Sequence, residues 1–197
     1  MIELLPNMTN EGSEGHLGWF ENRQLRLREF IKMLSPVNLM EIGFNMGHSC
    51  KFICDTILEI KNSDSSYMKK EVNFYVFDIC YHEWMEMNFN ILQEYYKNYN
   101  IKLNFIKGST PETLEPFLKD YDGVFDFIEV DGSHVLEIAH SDMLNVYNKI
   151  RKGGLIYVDD YTPTDTNSPV VKAVGLVDWS KYDIANDDDI FFGIKII

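Results

Sequence analysis

Acidic side chains set just beyond short apolar runs are the feature of this sequence that could do chemistry. Asp131 stands in Val130-Asp131-Gly132-Ser133-His134, and Asp159 and Asp160 stand in Tyr157-Val158-Asp159-Asp160-Tyr161. If the preceding runs are neighbouring strands of one sheet, all three carboxylates emerge at the same edge. Three oxygen donors on short turns suit a hard ion such as Mg²⁺, which keeps water or substrate oxygens in its remaining positions. Zinc fits less well, because neither cysteines nor a paired histidine stand nearby. His134 follows Asp131 by three residues, and an imidazole that titrates near neutral pH is suited to take a proton there. Each residue also has a plain structural reading, in which Asp131 and His134 open a turn and helix and Asp159-Asp160 sit in a solvated loop.

A second constellation is Glu41-Ile42-Gly43-Phe44-Asn45-Met46-Gly47-His48-Ser49, directly after an apolar run and opening a helical stretch. Ligands of open α/β sheets bind beyond the carboxyl ends of strands, where glycines let the backbone approach without a Cβ in the way. Gly43 and Gly47 meet that need. Their spacing is not the GxGxxG of nicotinamide enzymes, so a pyrophosphate cradle is disfavoured. Asp78 closes the run Phe74-Tyr75-Val76-Phe77, and a carboxylate there can accept two hydrogen bonds from a vicinal diol.

The elements that must position these groups follow from periodicity. Leu27, Phe30, Ile31 and Leu34 share one helical face before Ser35-Pro36 stops the helix, and Arg23, Arg26 and Arg28 are expected on its wet side. Strands are expected at Val37–Ile42, Phe74–Phe77, Lys102–Ile106, Phe125–Val130 and Leu155–Val158. Helices are expected at Ser49–Ile60, Trp84–Tyr99 and Pro111–Lys119. A further one runs from Leu136 to Ile150, with Gly153-Gly154 as its C-terminal cap. Asn62–Ser66 reads as a polar turn. Val170–Val177 reads as a short helix, and Trp179–Ile184 with Ile190–Ile197 as a closing hairpin whose turn Asp187-Asp188-Asp189 solvates. Repeated βα units predict a doubly wound, mostly parallel seven-stranded α/β sheet with an antiparallel C-terminal hairpin.

The glycine segment resembles the first motif of class I S-adenosylmethionine-dependent methyltransferases, an acidic residue, x, Gly, three residues, Gly. The resemblance implies a Rossmann-like fold, S-adenosylmethionine as cofactor, and cofactor contacts from Glu41, Gly43, Gly47, Ser49, Asp78 and Asp131, with Asp78 on the ribose. Gly108-Ser109-Thr110 resembles the segment lining the adenine pocket, with Ser109 the contact. The stretches around Asp131 and Asp159-Asp160 resemble the catechol-type and macrocin-type O-methyltransferases, the methyltransferase 24-like group. That implies Asp131, Asp159 and Asp160 as ligands of a divalent metal that grips acceptor hydroxyls. Ser133 departs from the Asp-Gly-Asp-His of many macrocin-type sequences. Catechol-type relatives carry a lysine where this chain has His134, which makes His134 the candidate base beside Asp131. The acceptor is then a small-molecule hydroxyl, with a vicinal diol on a sugar slightly preferred to a catechol.

Bulk properties fit that reading. The 197 residues are 45% hydrophobic, enough for one substantial core, so a single domain over 1–197 is expected, with 1–35 an N-terminal helical and lid segment and 36–197 the core. A formal charge of -13 repels a phosphate backbone and disfavours nucleic acid as a partner. No stretch is apolar enough to span a bilayer, and the start lacks a signal-peptide pattern, so a cytoplasmic protein is expected, possibly a homo-oligomer. Cys50, Cys54 and Cys80 indicate neither a disulfide framework nor a zinc ribbon. Glu11–Phe20 and Thr162–Pro169 are candidate covers over the acceptor, and Tyr81 and Trp84 candidate stacking rings. His16, His48, His82 and His140 suggest no role. A metal-independent methyltransferase and a catalytically silent Rossmann-like binding protein stay open as alternatives.

Overall fold

A computed structural model describes residues 21–187 and 189–197. The elements are α1 (Glu21–Leu34), β1 (Asn38–Ile42), α2 (His48–Ser63), α3 (Ser65–Met68), β2 (Val72–Asp78), α4 (Glu83–Tyr96), β3 (Ile101–Lys107), α5 (Thr110–Asp120), β4 (Phe125–Val130), α6 (Leu136–Tyr147), β5 (Ile150–Val158), α7 (Pro169–Gly175), β6 (Tyr182–Asp187) and β7 (Ile190–Lys195). The seven strands form one sheet in the order β3-β2-β1-β4-β5-β7-β6. All pairings are parallel except those of β7, which runs antiparallel to both β5 and β6. The predicted doubly wound sheet with a closing hairpin is what forms.

Strand alternation explains the two cores. Leu39, Phe74, Phe127 and Leu155 point to the face covered by α1, α2 and α4, where they meet Phe30, Ile53 and Leu92. Their sequence neighbours Met40, Ile128 and Ile156 point to the opposite face and meet Leu114, Met143 and Val170 from α5, α6 and α7. Successive strand side chains face opposite sides, so near-continuous apolar runs are what a sheet covered on both faces requires. Glu41, Glu129 and Tyr157 interrupt those runs. They are register partners across β1, β4 and β5 and lie on the α1 and α2 face.

Three local expectations are corrected. The Leu136 helix ends at Tyr147, and Ile150, Gly153 and Gly154 belong to β5 rather than to a helix cap. Phe125 pairs with Ile150 but Phe127 with Leu155, so β5 carries a bulge. Gly153 takes φ +74°, and a Cβ on Gly154 would lie 2.8 Å from the Asp126 carbonyl, so the glycine pair makes that bulge possible. The polar Asn62–Ser66 segment is helical on both sides of Asp64, whose side chain caps α3 by accepting from Ser66 N at 2.8 Å. Asp187 and Asp189 do not merely meet water: they pair with Arg26 and Arg23 of α1. No described helix is long and apolar enough to cross a membrane.

Candidate active site

The order of the strands reverses direction between β1 and β4, which opens a crevice at their carboxyl ends. The turns leaving the strands are joined one to the next along that rim. Gly43 N donates to Phe77 O (2.9 Å), Gly108 N to Asp78 O (2.9 Å), Asp131 N to Ile42 O (2.8 Å) and Asp159 N to Val130 O (3.1 Å). The glycine turn, Asp78, Asp131 and the Asp159-Asp160 pair therefore stand on a single edge of the sheet, as the sequence reading requires.

Gly43 sits at the crossing point with φ +97°, and a Cβ there would lie 1.8 Å from the Asp131 carbonyl oxygen. Only glycine permits that approach. Gly47, at φ +84°, opens α2, and its absent side chain leaves room for the Phe44 ring. The Asp78 carboxylate pins this loop: Oδ2 accepts from Phe44 N (2.8 Å) and Asn45 N (3.0 Å), while Oδ1 accepts from Cys80 N (2.6 Å). Oδ2 is filled by its two amide donors, but Oδ1 keeps one lone-pair site, so Asp78 can hold the loop and still accept one hydrogen bond from a diol. Glu41 and Ser49 are joined to each other, Ser49 Oγ donating to Glu41 Oε1. Glu41 is fully buried beneath the loop, and burial, reinforced by the nearby Cys50 thiol, pushes its carboxyl well above the usual range. Ser109 takes the N-cap position of α5 beside the Gly108 turn, where φ is +140°.

At the other end of the crevice, ligand atoms of Asp131, His134 and Asp160 lie within 4.8 Å of one another. His134 Nε2 is 3.2 Å from Asp160 Oδ2. Two of the three expected ligands, Asp131 and Asp160, stand in this group with His134, and Asp159 beside them is held by Arg23. Asp159 Oδ2 accepts from Arg23 Nη1 at 3.0 Å; the same guanidinium is 3.4 Å from Asp160 and 3.2 Å from Asp189. Arg23 is 8% exposed, which corrects the expectation that it lies on the wet face of α1. Burial works against its charge, but Asp159, Asp160 and Asp189 outweigh that and raise its pKa.

The acids of the cluster are driven apart. Burial, then the proximity of Asp159, Glu129 and Asp160, holds Asp131 well above the ordinary carboxylate range. Burial lifts Asp159 to about 6 against the pull of Arg23. The hydrogen bond with His134, aided by Arg23, holds Asp160 below its usual value despite burial. Asp160 also has φ +55°, a backbone conformation that a non-glycine residue adopts at a cost and that is common where geometry serves a function. Carboxyls and an imidazole set side by side with opposed proton affinities can pass a proton and can hold a divalent cation.

Residues 40–161, from β1 through the turn after β5, match the family described as Methyltransferase domain. The chain belongs to that family of class I, S-adenosylmethionine-dependent methyltransferases. Solved methyltransferases share its fold. The O-methyltransferase NovP is 18% identical, with 89% of this chain and 80% of NovP covered at a TM-score of 0.59. An O-methyltransferase from Bacillus cereus, solved in complex with SAH, is 14% identical, with 89% and 81% covered at 0.62. MycE of the mycinamycin biosynthetic pathway, solved with Mg and SAH, is 17% identical, with 93% of this chain but 51% of MycE covered at 0.59. No curated protein matches by sequence.

Other expectations for the methyltransferase fare differently. Glu11–Phe20 and His16 lie outside the described residues. Tyr81 is 80% exposed, and Trp84 stacks on His82 with ring centroids 4.9 Å apart. Tyr81 and His82 line a groove of about 900 Å³ along α4 that includes Cys80, Asn90 and Lys107 but none of the rim acids. The sequence reading missed Arg23, Glu129 and Asp142. Asp142 is buried behind Gly132, where Oδ2 accepts from Thr110 Oγ1 at 3.0 Å. A signal for Arg23 was present: it lies four residues before Leu27, on the apolar stripe of α1 rather than opposite it.

Proposed function

We propose that this methyltransferase moves the methyl group of S-adenosylmethionine to a hydroxyl of a small molecule, assisted by a divalent cation. The observation that carries the reading is the convergence of Asp131, His134 and Asp160 on the same rim as the Gly43 turn. Gly43, Gly47 and Asp78 take the cofactor, with Asp78 Oδ1 accepting from a ribose hydroxyl and Ser109 beside the adenine; Glu41 and Ser49 brace the loop from below. The carboxylates of Asp131 and Asp160 would hold Mg²⁺ or Mn²⁺ through oxygen, which leaves the imidazole of His134 free to take a proton. A cation bound there supplies Lewis-acid polarisation of the acceptor oxygen.

Methyl transfer is an in-line displacement at a sulfonium, so the chain's own work is to align the acceptor and remove its proton. His134 takes that proton, and Asp160, ionised and 3.2 Å away, stabilises the imidazolium that forms. MycE, a fold relative, is described with Mg and SAH, and the resemblance to macrocin-type enzymes favours a vicinal diol of a sugar as acceptor. The test is calorimetry with SAH followed by turnover of a diol and phenol library, with chelator and with Mg²⁺. Micromolar SAH binding and chelator-sensitive, Mg²⁺-restored methylation are expected; absence of heat with SAH overturns the cofactor site.

A second reading has an observation of its own. Arg23 already neutralises Asp159 and Asp160, which suits metal-independent transfer by the His134–Asp160 pair alone. Full turnover in chelator selects it.

A further inference from the structure

We propose that Arg23 and a divalent cation held by Asp131 and Asp160 beside His134 oppose one another, so that Arg23 sets how tightly the rim holds the ion and the ion sets how firmly α1 stays docked. The proposal rests on the metal-assisted reading above.

Asp160 belongs to both sides. Its Oδ2 faces His134 at 3.2 Å and its Oδ1 faces Arg23 at 3.4 Å. The same guanidinium reaches Asp159 at 2.9 Å and Asp189 at 3.2 Å, so a single buried cation from α1 ties the turn after β5 to the β6–β7 turn. A second positive centre arriving at Asp160 is therefore repelled by the first. A double and a single charge roughly 6 Å apart weaken one another's binding about tenfold even with the dielectric constant of water, and by more in a half-buried cleft. Arg23 also fixes the orientation of Asp160, which favours the ion, but ordering one short side chain is worth less than that repulsion.

Linkage makes the effect mutual. If docked Arg23 weakens the ion tenfold, the bound ion weakens docking by the same factor. Helix α1 does not depend on Arg23 alone, since Leu27, Phe30 and Ile31 are buried in the core and Arg26 pairs with Asp187. The ion therefore loosens α1 without unfolding the sheet.

The experiment measures Mn²⁺ affinity by electron paramagnetic resonance in the wild type, Arg23→Gln and Arg23→Lys, alongside hydrogen exchange of residues 21–34 with and without Mn²⁺. Affinity about tenfold tighter in Arg23→Gln and near wild type in Arg23→Lys is expected, because lysine keeps the charge. Saturating Mn²⁺ should speed exchange in α1 several-fold. Unchanged or weaker affinity in Arg23→Gln overturns the proposal and leaves the metal reading intact. Should that variant fail to fold, unaltered α1 exchange in the wild type at saturating Mn²⁺ overturns it equally. Mn²⁺ binding in neither protein overturns both readings, whereas binding in Arg23→Gln alone supports the proposal most strongly.

Discussion

Gly43 separates two turns by the width of its missing side chain. With φ at +97° and a would-be Cβ 1.8 Å from the Asp131 carbonyl, Gly43→Ala must push the β1 turn away from the β4 turn. We expect a stability loss of about 2 kcal/mol or more and loss of SAH binding, read by thermal melting and calorimetry. Asp160→Asn tests the neighbouring chemistry. It keeps the side-chain shape but removes the charge facing His134, so kcat should fall at least about 100-fold while SAH affinity changes little; retained kcat would overturn the part given to Asp160 in both readings. At this scale the sequence was informative wherever a residue's task is set by its strand. Gly43, Asp78, Asp131, Asp159 and Asp160 each follow the end of an apolar run, so their shared rim could be read from spacing. The partner of Asp159 could not. Arg23, which holds Asp159, is 136 residues from it in the chain, and no local pattern encodes such a pairing.

Between elements, buried polar groups act as fasteners. Asp126 Oδ2 accepts from Val37 N (2.7 Å) and Asn38 N (2.8 Å), anchoring the start of β1 to β4. Asp142 on α6 reaches Thr110 at the start of α5, and burial raises its carboxyl to about 6. A carboxyl whose folded pKa exceeds its unfolded value favours the fold fully at low pH, and that advantage is lost as pH rises from about 4 through about 6. Asp142→Asn removes the titration. The variant should match the wild type near pH 4 and melt about 3 °C or more higher at pH 7.5; an equal gain at both pH values would show that charge is not the cause. The sequence reading missed Asp142 because its position falls among the apolar residues Ala139, Met143 and Val146 of α6 without being apolar itself. Gly153-Gly154 misled for a related reason. A helix stop and a strand bulge make the same local demand for positive φ, and only the pairing of Ile150 with Phe125, distant in sequence, decides between them.

For the molecule as a whole, the alternation of apolar runs with amphipathic helices was enough to foresee a sheet covered on both faces, because nothing else buries so many consecutive strand residues. It did not foresee the acids inside. Glu41 and Glu129 face each other across β1 and β4, both nearly inaccessible to water, and Oε2 of each accepts no hydrogen bond among the described residues. Burial drives both carboxyls far above the usual range, and Glu41 raises Glu129 further. Together with Asp142, they hold hydrogen ions in the native state that the unfolded chain would surrender. Folding is thus coupled to buffer: in scanning calorimetry near pH 5.5, the apparent enthalpy should vary with the buffer's own heat of ionisation, by an amount corresponding to release of at least about one hydrogen ion on melting. The native protein should also migrate in an electric field as less anionic than a count of its acidic letters suggests.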